Sequence, residues 1–507
     1  MYPRPVFIMF VLLAFVAAHT SMSMADAPLP AATPQKLPLW RGFNLLEKFS
    51  LDWPKGPFQE EDFQLIHELG FNFVRLPMDY RLWIVDGDWR AIDEDAFREI
   101  DQAVAWGGQF GIHVSINFHR APGHTVAEPK ETRNLWTDPE AQEVCAQHWA
   151  YFARRYKDIP SERLSFNLFN EPGDIPGEVY ARVAAKMVEA IRAEDPDRLI
   201  IADGSYWGRK PCLELLSFNV AQATRGYDPM NITHYGATWV NTEGMVAPVW
   251  PLPLTNQLLF GPAKPDLQAP MLIEGPFPDG LRLRLRVGTV SDRGRLVVTA
   301  DAAQIWEHEF ICGPGEGEWR EAIWKEEWQV HQNRYDRDYV IEIPPDTARI
   351  ALRNTAGDWM TITELGARSL DASQGEEAVL ALMLAWGEPN PTIHLTRDGS
   401  AWTFTSEKAL DRAALWQSNI VPWQELERQG CGVMVGEFGV FNQTSHGVAL
   451  RWMEDCLRNW KEAGWGWALW NFRGSFGVID SGRPDVEYED WRGHKLDRSM
   501  LDLLQRY

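Results

Sequence analysis

The sequence predicts an α/β fold: a (β/α)8 TIM barrel with a β-sandwich domain inserted between strands six and seven. Three observations carry that expectation. Short apolar runs alternate with amphipathic segments of helical period, the signature of βαβ units. Polar and ionisable residues collect at the ends of those runs, a costly place in a core but a natural one at the mouth of a parallel barrel. One interval of almost 200 residues breaks the alternation with runs of period two.

The elements follow in order. A first strand is read at 40–45, and a second at 71–77 after the amphipathic segment 60–69. The third, 113–119, follows a helical pattern over 96–110. The fourth, 164–170, follows a long helix from about 138 to 156, and the fifth, 198–202, follows a helix over 176–194. The sixth is placed at 230–235 (Met-Asn-Ile-Thr-His-Tyr). The seventh and eighth are 432–437 and 466–470, separated by a helix over 447–463. Eight strands with intervening helices make the barrel the economical answer.

In the long interval, Leu281-Arg-Leu-Arg-Leu-Arg-Val287 and the runs 294–300, 339–343 and 348–353 alternate polar with apolar residues. Such alternation argues for antiparallel strands with one wet face. The Pro-rich stretch 247–270 reads as a linker. The sandwich is therefore expected at 270–404, leaving the barrel at 36–260 and 405–507.

At 507 residues the chain exceeds one ordinary core, which agrees with two domains. A formal net charge of −22 argues against nucleic acid or an anionic membrane surface as partner, and says little about an uncharged one. The 25 Trp serve mainly as packing, but flat indole faces also stack on sugar rings. Arg4, an apolar run over 6–18 and the small Ala25 and Ala27 read as a signal peptide at 1–27. The expected location is secreted or periplasmic, with no membrane association after cleavage. Cys145, Cys212, Cys312, Cys431 and Cys456 show no metal spacing and read mostly as small buried apolar residues.

The chemistry is carried by two glutamates 266 positions apart, in Ser165-Phe-Asn-Leu-Phe-Asn-Glu171-Pro172 and Val433-Met-Val-Gly-Glu437-Phe438. Each closes an apolar run. Two carboxylates at one barrel mouth are what cleavage of a glycosidic bond needs: one shuttles a proton, the other attacks or activates water. Around them, Arg75 ends strand two and His119 strand three. Asn170 precedes Glu171, His234 and Tyr235 end strand six, and Trp470 ends strand eight. Any one of these is a weak signal; six strand ends carrying such residues in one ring are not.

This ordered set resembles glycoside hydrolase family 5, the cellulase-type clan of retaining (β/α)8 enzymes, over about 40–255 and 405–507. The stretch from Gly464 to Gly477 looks like that family's last strand and loop; the insert falls outside the resemblance. The resemblance implies Glu171 as acid/base and Glu437 as nucleophile of a double displacement on a β-linked glucan. It implies Asn170 on the sugar 2-hydroxyl, His119 on the sugar at the cleavage subsite, Trp470 beneath it, and His234 orienting Glu171 or the leaving side. Retention needs the carboxyls roughly 5–5.5 Å apart, which adjacent strand ends can arrange. Arg75 and the Tyr235 hydroxyl can favour the ionised nucleophile.

Asn44, Glu47, His124, Trp136 and Trp239 line the same face, either as subsites or as loop packing. His113 begins a strand that His119 ends, so the two are roughly 20 Å apart and no metal pair. No cofactor motif appears, and none is implied. A β-mannan or β-mannoside is the alternative substrate. A non-catalytic polysaccharide-binding protein is the alternative class. In the insert, Trp306, Trp319, Trp324, Trp328 and Trp359 either stack on glycan or pack the sandwich. Linkage, endo or exo action and oligomeric state are not encoded in spacing.

Overall fold

The computed structural model describes residues 29–52, 56–241, 247–371, 376–399 and 401–507. The expected signal peptide lies outside the described residues. No helix among the described residues is long and apolar enough to cross a membrane.

Eight strands close into a barrel in chain order: Arg41–Asn44, Phe73–Asp79, His113–Arg120, Leu164–Asn167, Ile200–Asp203, Ala221–Gly226, Val433–Phe438 and Trp467–Leu469. The paired registers are parallel, as between Gly42–Asn44 and Phe73–Arg75. The strands are short and buried along nearly their whole length because helices cover the outside of a parallel barrel. Strands four and seven are three places apart around this ring rather than adjacent.

The helices fall where the apolar period puts them. Pro139–Tyr156 starts at Asp138, whose carboxylate accepts from the Glu140 amide, with Pro139 at the first position where a missing N–H costs nothing. His446–Ala463 ends at Gly464 in the left-handed conformation, φ 80. Glu60–Glu68, Phe97–Gln109 and Gly177–Glu194 complete the expected set.

The sixth strand departs from the expectation. It runs over Ala221–Gly226, and Met230–Thr233 is one turn of helix. The true strand is Ala-Gln-Ala-Thr-Arg-Gly, with little apolar signal. The apolar Met230 and Ile232 have the spacing of a strand, but two residues are too few to set a period, and the segment folds as one turn of helix after Pro229. His234 and Tyr235 thus lie in the loop beyond strand six, not at its end.

Between the sixth and seventh strands lie two six-stranded sheets. Leu281–Ser291, the Leu-Arg alternation, pairs antiparallel with Val330–Ile343 and Trp359–Arg368. Arg293–Ala300 pairs with Ala303–Ile311 and Thr347–Gly357 in the second sheet. One buried set draws Leu281, Leu283 and Leu285 from the first sheet and Leu296, Val298 and Leu352 from the second. The arginines of the alternation face outward, where Arg284 meets Glu364 and Glu377. The stretch read as a linker is partly structured: Leu258–Phe260 is already a strand of the first sheet, paired with Trp359–Thr361. Leu252–Pro253 pairs with Ala409–Leu410.

The described residues divide into two compact units, one running up to Trp207 with Cys212–Ala223, the other Gly208–Pro211 with Thr224–Tyr507. No disulfide joins the cysteines, and four of the five are buried.

Candidate active site

In the first unit the barrel strands place a buried polar network. Arg75, in the middle of strand two rather than at its end, is 2% exposed. Its Nε donates to Asn167 Oδ1 (2.9 Å), Nη1 to Asn44 Oδ1 (3.0 Å) and Nη2 to Asn170 Oδ1 (2.9 Å). Asn167 in turn donates to Asp203 Oδ1 at 3.0 Å, so a buried cation and a buried anion share one hydrogen-bonded network. A buried charge is tolerated only with such partners.

Asn170 and Glu171 lie three and four residues past the end of strand four. Glu171 has φ 50, an unusual backbone for a non-glycine residue that costs about 1–3 kcal/mol. Its amide donates to Asp203 Oδ2 at 2.9 Å. His124 Nε2 is 2.8 Å from the Asn170 carbonyl oxygen. Burial lowers the His124 pKa to about 4, so the ring is neutral and Nε2 carries the hydrogen. His119 is the penultimate residue of strand three, buried, with its ring 4.4 Å from that of Phe49. His113, at the strand's start, contacts the Glu162 carbonyl and the Ser165 hydroxyl, each at 2.8 Å, as a core residue.

Two aromatics in this unit carry no sequence pattern that marks them. Tyr206 and Trp207 both have left-handed backbones (φ 53 and 56) and stand 37% and 40% exposed. Their amides donate to the carbonyls of Gly173 and Pro172, the residues just after Glu171. Bulky side chains held in that conformation are a mark of functional loops. Of the weaker candidates, Asn44 joins the Arg75 network, Trp136 packs on His124 and Phe169, and Glu47 is half-buried.

In the second unit Glu437 sits in strand seven and is 3% exposed. Arg225, near the end of strand six, brings Nη2 to 3.2 Å from Glu437 Oε1. The Tyr227 hydroxyl donates to Oε2, also at 3.2 Å. Each carboxylate oxygen therefore has its own partner. Gly208 makes room for Arg225: with φ 72, a Cβ there would come 2.7 Å from Arg225 Cγ. The roles expected from sequence for the strand-six residues therefore shift. Tyr227 is the tyrosine that holds Glu437, in the place expected for Tyr235, and Arg225 joins the site unforeseen. The signal was present in Arg225-Gly-Tyr227, a charged and an aromatic residue closing a run whose small side chains hid it.

His234 lies beyond the helical turn, its Nδ1 2.9 Å from the Thr233 hydroxyl and its ring against Tyr227, Trp239 and Phe476. Burial lowers its pKa to about 4. Trp239 is 54% exposed. Trp470 follows strand eight, half-buried, its amide donating to the Phe438 carbonyl at 2.7 Å.

Comparison with known proteins adds the family. Residues 35–235 match the model of cellulase, glycosyl hydrolase family 5. Endoglucanase C of Acetivibrio thermocellus is 28% identical over 184 residues, covering 36% of this chain and 53% of that one. Cellodextrinase A of Ruminococcus flavefaciens is 27% identical over 187 residues, covering 36% and 54%. The matched segments thus span about half the length of these curated relatives. A solved glycoside hydrolase structure superposes with a TM-score of 0.59 at 28% identity, covering 92% of this chain and 98% of the other. An endoglucanase of the hyperthermophilic Thermotoga maritima, Cel5A, superposes at 0.52 with 18% identity, covering 92% and 97%, and shares the fold. Over residues 35–235 the chain is similar to the cellulase domain of glycoside hydrolase family 5.

Proposed function

We propose that the protein is a retaining glycoside hydrolase that cleaves β-linked glucan, with Glu437 as nucleophile and Glu171 as acid/base. The observation that carries this reading is Glu437 itself: a buried carboxylate one residue from the end of a barrel strand, with Arg225 and Tyr227 each holding one oxygen. Those partners fix the carboxylate in position to attack an anomeric carbon. The family-5 match and relatives such as Endoglucanase C and Cellodextrinase A support a glucan as substrate.

In the first step Glu437 bonds to the anomeric carbon while the glycosidic C–O bond breaks, and Glu171 gives its proton to the departing oxygen. In the second, Glu171 takes a proton from water, which displaces Glu437 and releases the sugar with its configuration retained. Asn170, oriented by Arg75, would bond the sugar 2-hydroxyl. His119 and Trp470 would contact the sugar in the cleavage subsite, His234 and Tyr235 would line it, and Tyr206 and Trp207 would offer stacking faces on the leaving side.

The two sheets between strands six and seven are read as a sandwich domain inserted in the barrel, from about 258 to 406 rather than 270 to 404. Their shared buried set supports this. Trp319 packs against that set, whereas Trp324 and Trp328 are 46% and 59% exposed and open to glycan. The N-terminal 1–27 reads as an export signal, giving a secreted or periplasmic enzyme.

A hydrolysis panel tests the function: β-1,4-glucan, β-1,3-glucan, β-mannan, xyloglucan and their aryl glycosides, with Glu437→Ala as control. Hydrolysis of a glucan that is lost in the variant is the expected result. Preference for β-mannan would redirect the substrate, and inactivity on every member would overturn the reading.

A further inference from the structure

Glu171 is joined to Asn170 by a peptide group that buried side chains hold from both ends. Its carbonyl oxygen accepts from His124 Nε2 at 2.8 Å, and its amide donates to Asp203 Oδ2 at 2.9 Å. The preceding amide, of Asn170, donates to the Phe118 carbonyl in strand three at 3.0 Å. The three partners come from strand three, the turn after it and the end of strand five, so the peptide is held against neighbours on either side of strand four.

Each holder is itself fixed. His124 closes the turn Ala121-Pro-Gly-His124, in which the Ala121 and His124 amides each donate to the other's carbonyl at 2.9 Å. Pro122 and Gly123 fill the central positions, and Gly123 has φ 80, as a type II turn requires. A Cβ on Gly123 would meet the Leu135 amide at 2.9 Å. The His124 ring packs edge-on against Trp136 and Phe169. Asp203 is fully buried; its other oxygen accepts from Asn167, and its carbonyl accepts from the Tyr180 hydroxyl at 2.7 Å. Such rigid support is out of proportion to an ordinary loop. It coincides with the left-handed backbone at Glu171, a conformation that persists only where its surroundings impose it.

We propose that His124 and Asp203 are positioning residues that fix the Asn170–Glu171 peptide and so aim the Glu171 carboxyl at the leaving oxygen. Neither touches substrate. His124 stays neutral because burial holds its pKa near 4, so its donor is constant across the working range. The proposal rests on reading Glu171 as the acid/base.

The test exploits the leaving group. Cleavage of cellotetraose needs a proton on the departing oxygen, whereas departure of 2,4-dinitrophenolate from its β-cellobioside does not. On both substrates kcat/KM is measured for the full chain and for His124→Ala, Asp203→Ala and Glu171→Ala. The ratio of the two constants does not depend on how much of a sample is folded. His124→Ala and Asp203→Ala are expected to lose on the order of 10²-fold on cellotetraose and only a small part of that on the aryl glycoside. His124→Gln, which keeps an N–H donor, and Asp203→Asn, which keeps an acceptor, should move the ratio back toward wild type. Equal losses on both substrates, with the ratio unchanged, would overturn the proposal while Glu171→Ala still shows its leaving-group dependence. If Glu171→Ala shows none, or wild type cleaves neither substrate, the assignment of Glu171 fails and the proposal falls with it.

Discussion

Arg225 Nη2 lies 3.2 Å from Glu437 Oε1, and the two side chains are 1% and 3% exposed. An ion pair so deeply buried is held by mutual dependence, because removing one member leaves the other charged without compensation. That loss typically costs about 3–5 kcal/mol. Arg225→Met should therefore destabilise the fold by that order and sharply reduce turnover. In a Glu437→Gln background the same substitution should cost much less, since no charge is left uncompensated. Urea unfolding of the wild type, both single variants and the double variant measures the coupling. Additive losses would show that the two side chains do not depend on each other.

Tyr227 and Tyr235 are two phenols that follow strand six, and Tyr227 is the one that reaches Glu437. The Tyr227 hydroxyl donates to Glu437 Oε2, and a hydrogen bond to a charged group is worth about 1.5–3 kcal/mol. Tyr227→Phe is expected to lower kcat/KM by roughly 10- to 150-fold on that basis. Tyr235→Phe should cost markedly less. Steady-state kinetics on one soluble glucan decides, and a larger loss at Tyr235 would restore the assignment drawn from sequence.

His148 makes the fold sensitive to mild acid. Its Nδ1 accepts from Trp83 Nε1 at 3.1 Å and its Nε2 donates to the Trp89 carbonyl, a pattern that only the neutral ring satisfies. Burial lowers its pKa from 6.5 to about 4, and His113 and His124 are lowered to about 3 and 4 for the same reason. Between pH 6.5 and 4 the unfolded chain therefore binds protons that the folded chain refuses. The stabilisation is complete above pH 6.5 and falls as the pH drops through that window, by about 1.4 kcal/mol per unit for each such histidine. Urea unfolding at pH 7 and pH 5 should show this fall, and His148→Gln should make it smaller by one histidine's share. An unchanged pH dependence in the variant would mean that His148 already binds its proton in the folded state.

The barrel was legible because its elements carry strong periods. The Leu-Arg alternation of 281–287 could only be a strand with one wet face, and His446–Ala463 keeps its apolar stripe to the capping Gly464. Glu171 and Glu437 were legible as candidates because a carboxylate that ends an apolar run is costly inside a core and at home at a barrel mouth. Strand six was not, since Ala221, Ala223 and Thr224 give a weak pattern and Met230 and Ile232 a stronger one nearby. That single displacement moved the expected partner of Glu437 from Tyr227 to Tyr235 and concealed Arg225. The network around Arg75 was also out of reach, because Asn44, Asn167 and Asp203 meet only when the strands close.

The central claim is that Glu437 becomes covalently bonded to the sugar. The direct measurement is inactivation by 2,4-dinitrophenyl 2-deoxy-2-fluoro-β-cellobioside, followed by peptide mapping with mass spectrometry. The fluorine slows release of the intermediate, so the account predicts a stoichiometric adduct on the peptide that contains Glu437, and none in Glu437→Ala. A label on a different carboxylate, or no label in an enzyme that turns over the unfluorinated glycoside, would contradict it.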